Sequence, residues 1–178
     1  MADPFIQQLD AISAPGTTAA KFLKKLGPLH NNWHLAHNSG TAQTGFLLFH
    51  WQLIKRFESV GGPAHFGGVT PFTKQQLASF HAAYNIQDVV NTGDVNSLEE
   101  FSNDLELWHN NAHMAVGMAF HINLMNPKTN VRLVQFWQLH YFINAQFEEK
   151  LADFRASSSV SIPSVVTQLE ASNAAGLI

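Results

Sequence analysis

The sequence predicts an all-α protein, a bundle of four principal helices, on three observations. Apolar residues recur at helical period over most of the chain, β-type alternation is nearly absent, and two capping boxes mark helix starts. Thr17 to Leu26 carries Phe22, Leu23 and Leu26 and is expected to stop at Gly27-Pro28. Pro28, suited to a first helical position, opens a second segment to His37, which Asn38-Ser39-Gly40 ends. Gln43 to Val60, rich in Phe46, Leu47, Leu48, Phe49, Leu53, Ile54 and Phe57, predicts a long buried helix. Gly61 to Gly68 contains five residues that are Gly or Pro and is expected to be irregular.

Thr73-x-x-Gln76 opens a short helix to about Tyr84, and Asn85 to Asn96 forms a polar connection. Ser97-x-x-Glu100 starts a helix that runs towards His121. Asn126 to Asn130 makes a turn, and Val131 to Arg155 gives a last long helix. The expectation is a single domain over residues 1–178, with its core in 17–155 and a small-residue tail over 156–178.

Composition narrows the function. At 178 residues the chain can bury a sizeable core. With 13% charged residues and a net charge of −3, it lacks the basic stripe that nucleic acid requires. Without cysteine there is no disulfide scaffold, thiolate zinc site or cysteine nucleophile. No apolar run reaches membrane-spanning length, and the first ten residues do not read as a secretion signal, so the expected compartment is the cytoplasm. An apolar fraction of 46% leaves room for a homodimer face. Ten histidines, as many as Lys and Arg together, stand out.

Two patterns involving those histidines each occur twice, in the same order. His-Asn-Asn-x-His appears at His30–His34 and again at His109–His113; i and i+4 lie on one helix face, so each pair can converge on one ion. Phe-x-x-x-His followed by Phe-Glu appears as Phe46, His50, Phe57, Glu58 and as Phe136, His140, Phe147, Glu148. Each half therefore offers a two-histidine helix and a one-histidine helix. His109, His113 and His140 form one expected metal site. Three of His30, His34, His37 and His50 form the other, and the sequence leaves open which three. Three imidazoles with an open fourth position suit catalysis, and the donor type suits zinc, copper or iron. His65, in the glycine-rich loop, reads as an exposed histidine or a proton shuttle at a pocket mouth. Met114, Met118 and Met125 read as core filler.

Over residues 30–150 these motifs resemble the tyrosinase and haemocyanin family of type-3 copper proteins. Phe46-Leu47-Leu48-Phe49-His50 with Phe57-Glu58 is similar to the Phe-Leu-x-Trp-His-Arg…Phe-Glu signature of the family's first site. His109-Asn110-x-x-His113-x-x-x-Gly117 resembles its second-site signature, and Phe136-Trp137-Gln138-Leu139-His140 through Asn144 resembles the segment carrying the last ligand. The chain departs from the pattern where Trp51 replaces the usual arginine, Thr41 falls near the family's middle first-site histidine, and Asn144 replaces an aspartate. The paired His-x-x-x-His arrangement is closer to the arthropod haemocyanin style than to the tyrosinase style.

So small a chain with an altered first site looks most like the fungal haemocyanin-like cyclopenases of quinolone alkaloid pathways. That resemblance implies a zinc-dependent conversion of a cyclopenin-type benzodiazepinedione epoxide to a viridicatin-type quinolone, with loss of methyl isocyanate. Zinc would be the Lewis acid, with Asn110 and Asn144 orienting ligands or a bound water. Trp33, Phe49, Trp51, Trp108, Phe120 and Phe136 would line a flat pocket for a small bicyclic aromatic substrate. The alternative is a dicopper phenol oxidase or oxygen-binding protein, which needs two complete three-histidine sites side by side. A metal-free helical binding module is the third reading.

Overall fold

Asp3 opens the first helix of the computed structural model, which describes residues 3–42, 45–88 and 98–156. Its carboxylate accepts the backbone N–H of Phe5 at 2.7 Å and of Ile6 at 3.3 Å, and Pro4 occupies the first turn, where a missing N–H costs nothing. This helix, α1 (Pro4–Ile12), lies before the expected core, yet buries Leu9 in it. It is also tied to the helix over Phe46–Ser59 by Asp10, which accepts two hydrogen bonds from the buried guanidinium of Arg56.

Six further α-helices follow: α2 (Ala19–Asn38), α3 (Phe46–Ser59), α4 (Gly62–His65), α5 (Lys74–Ala83), α6 (Leu98–Phe120) and α7 (Val134–Ala156), with a 3-10 turn at Asn130–Arg132. The described residues contain no strand. α3 packs against α1, α2, α6 and α7; α6 also packs against α5 and α7.

Four differences from the sequence expectation have physical reasons. Gly27-Pro28 does not break the chain into two helices, because α2 runs straight through both. An interior proline costs about 3 kcal/mol. Burial of Phe22, Leu23 and Leu26 before it, and of Leu29 and Trp33 after it, on one core offsets that cost. Gly27 is where the backbone of Lys128 crosses the helix, and a Cβ there would overlap the Lys128 carbonyl. Second, the glycine-rich segment contains a short helix, α4, started by Gly61 in the left-handed region (φ 73°) and by Pro63 in its first turn. Third, α1 escaped the periodicity reading because its nine residues bury only Leu9. Fourth, the last long helix starts at Val134, after the 3-10 turn, three residues later than expected.

The capping box at Thr73 and Gln76 forms as expected. The box expected at Ser97, most of the polar connection and the tail after Ala156 lie outside the described residues.

Candidate metal centre

The four longest helices, α2, α3, α6 and α7, carry seven histidines with expected ligand roles, and six of them meet in the core. His30 and His34 project from α2 towards His50 of α3: His30 Nε2 lies 3.0 Å from His34 Nε2 and 3.3 Å from His50 Nε2. His109 and His113 of α6 meet His140 of α7, with His109 Nε2 and His140 Nε2 3.2 Å apart. In each group one ligand atom from every histidine lies within 4.8 Å of the others. The two groups abut: the rings of His50 and His140 stack with centroids 5.0 Å apart, and His109 lies 5.8 Å from His50. Phe136 sits among them, stacked on His140 at 3.8 Å and edge-on to His30 and His113.

The outer ring nitrogens show which nitrogen is left for a metal. A carbonyl oxygen can only accept, so each Nδ1 beside one must carry the proton. His50 Nδ1 donates to the Phe46 carbonyl at 2.8 Å and His140 Nδ1 to the Phe136 carbonyl at 2.7 Å, each four residues back in its own helix. His30 Nδ1 donates to the Pro127 carbonyl at 3.1 Å, and His113 Nδ1 to the Leu124 carbonyl at 2.8 Å. In their neutral form these four rings therefore turn bare Nε2 lone pairs inward. His30 and His50 face each other lone pair to lone pair, and His113 Nε2 is buried with no hydrogen-bond partner. His109 differs, because its Nδ1 is buried and unpartnered.

Neutrality is enforced by burial. All six imidazoles are pushed below the ordinary histidine value, first by loss of solvent and then, for five of them, by neighbouring imidazoles; His34 and His113 come down to about 4. Unprotonated nitrogens converging in an apolar core are costly without a partner, and a cation supplies one. The donor set thus fits one metal ion per group, held by His30, His34 and His50 or by His109, His113 and His140. No family model, curated protein or solved structure matches the chain.

Two expected roles are corrected and a third residue is located. His37 is not in the first group: its Nε2 lies 2.9 Å from Glu106 Oε2 and its ring stacks on Trp33. Two helical turns beyond His30, it lies about 10 Å further along the helix and meets Glu106 of α6 instead. Asn110 is exposed on the outside of α6, since the residue after an inward ligand turns about 100° away. Asn144 does lie beside His50 and His140, in a crevice between α3 and α7 of about 10 Å³, but its amide donates to Glu148 at 3.0 Å and its oxygen is buried without a partner.

The aromatics expected to line a flat substrate pocket are mostly core: Trp33, Phe49, Trp51, Trp108 and Phe136 are buried, and Trp33 stacks on Phe49 at 4.2 Å. His65 is exposed beside Lys24 and Arg132. The methionines are not core filler. Met114, Met118 and Met125 are 44%, 45% and 54% exposed and border a groove of about 420 Å³ that reaches His113.

Sequence reasoning missed the orienting groups on the segment between α6 and α7. Leu124 and Pro127 act through backbone carbonyls, which no side-chain motif can reveal. Asn130 is the nearest signal, because its amide holds the Leu124 carbonyl at 3.0 Å.

Proposed function

We propose that the chain is a binuclear metalloprotein of the haemocyanin and tyrosinase kind, with copper in both three-histidine groups and dioxygen as the molecule it binds. On this reading α2, α3, α6 and α7 act as the family's four-helix bundle. The observation that carries the reading is the stack of His50 on His140 at 5.0 Å, which sets two complete groups against each other. Reduced copper in both groups would supply the electrons that dioxygen takes up, and in a phenol oxidation the phenol would be the source that restores them.

The residues favour that choice in two ways. All six donors are neutral imidazoles, and neither group includes a carboxylate. Solvation cost rises steeply with ionic charge, so an uncompensated apolar core favours a singly charged ion over a doubly charged one. The crevice at His50 and His140 has room for about one water, which rules out a bicyclic substrate on that side.

A second reading, the zinc-dependent cyclopenase, draws on the groove beside His113. Its roughly 420 Å³ is the size of pocket that takes a bicyclic ring system, next to a three-histidine set suited to Lewis-acid zinc.

The test is the metal content of purified protein, then anaerobic Cu(I) loading followed by air in an oxygen electrode. Two coppers per chain with dioxygen uptake supports the first reading. One tightly held zinc, no uptake and turnover of a cyclopenin-type epoxide supports the second. No stoichiometric metal sinks both.

A further inference from the structure

The chain has four methionines, and the three beyond Met1 all border one surface groove. Met114 and Met118 are one helical turn apart on α6 and so share a face. α6 then ends in a tight reversal: His121 takes a positive φ of 55°, and the Ile122 N–H donates to the Gly117 carbonyl at 2.9 Å. Gly117 permits this, since a Cβ there would stand 3.0 Å from the Ile122 carbonyl oxygen. The reversal brings residues 121–125 to the same groove, so that Met125 lines it together with Met114 and Met118. At the groove lie His113 and Leu124, whose carbonyl holds the His113 ring.

Three exposed methionines lining one groove with a buried histidine are poor packing, since their apolar surface stays in water. They are good chemistry for a soft cation. Thioether sulfur selects Cu(I) and has little affinity for zinc or magnesium.

We propose that Met114, Met118 and Met125, with the His121 imidazole, form an entry site that takes up Cu(I) and passes it inward to His113. The inference rests on the copper reading of the buried centre. The transfer is a ligand exchange: each sulfur–copper bond that breaks is replaced by a bond to an imidazole nitrogen. The ion keeps its single charge, the thioethers stay neutral and no electron moves. His113 keeps its Nδ1 proton on the Leu124 carbonyl throughout, so its Nε2 can accept the ion without losing a proton.

The test uses the full chain labelled at the methionine methyl carbons, without oxygen, titrated with Ag(I) as a redox-inert soft probe and with Zn(II) as a control. The signals of Met114, Met118 and Met125 are expected to move with Ag(I) and to stay in place with Zn(II). Met1 serves as the internal reference.

In a second arm, a Met114→Leu, Met118→Leu, Met125→Leu variant, nearly volume-conserving at exposed positions, is loaded from a limiting chelated Cu(I) donor. Loading is expected to slow by roughly tenfold, with final copper content and the rate of zinc loading unchanged. Methyl signals that ignore Ag(I), or equal Cu(I) loading rates in the two proteins, would overturn the proposal. Methionine signals that move in a protein holding no ion at the buried histidines would sink the copper centre and the delivery step while leaving a soft-cation site in place.

Discussion

His50 and His140 show how single residues are readied to accept an ion. Each ring is fixed by a carbonyl in its own helix, so its inward nitrogen is set before any ion arrives. Replacing either by alanine is expected to weaken ion retention in its own group by at least ten- to a hundredfold, with helical circular dichroism preserved, as measured by competition with a chelator. Because the rings stack on each other, His50→Ala should also disturb retention at His140's group, which site-resolved metal analysis can read. Acid is the second residue-scale prediction. The six core imidazoles titrate below the ordinary value of 6.5, so between about 4 and 6.5 the unfolded chain binds protons that the folded chain does not. Stability of the ion-free protein is therefore fully present above 6.5 and is lost as pH falls, each imidazole contributing up to about 1.4 kcal/mol per pH unit. Urea midpoints that stay constant from pH 7.5 to 5.5 would contradict this. At this scale the duplicated motifs made the six clustered histidines legible in the sequence. They did not separate His37 from them, because its capture by Glu106 depends on how α2 and α6 approach each other.

Elements were legible where their periodicity was long, as in α3, α6 and α7, and where side-chain chemistry marked the start, as at Thr73. Local rules failed at Gly27-Pro28 because they weigh a proline against its neighbours in sequence, whereas five buried residues spread along α2 decide the matter. Gly27 is there for packing, not for a break. Gly27→Ala is expected to lower stability by about 1–3 kcal/mol through overlap with the Lys128 carbonyl, seen as a lower urea midpoint. It should also loosen His30, whose ring is held by the adjacent Pro127 carbonyl, so metal affinity in the first group falls with it.

For the molecule as a whole, an ion held by either three-histidine group would be coupled to the fold. Each group draws its histidines from two helices, so an ion there would cross-link α2 to α3 or α6 to α7. Chelation is expected to lower the unfolding midpoint, and an ion present at a hundred times its dissociation constant adds about 2.7 kcal/mol. An unchanged midpoint after chelation would mean that the histidines hold no ion. That the groups would abut could not be read from the sequence, since helix spacing fixes which residues share a face but not which faces meet. The crevice between α3 and α7 has a further consequence. It has room for about one water beside His50 and His140, so a larger visitor on that side must wait for the two helices to part. Its arrival there would keep time with the breathing of the scaffold, and amide hydrogen exchange along those helices would measure that clock.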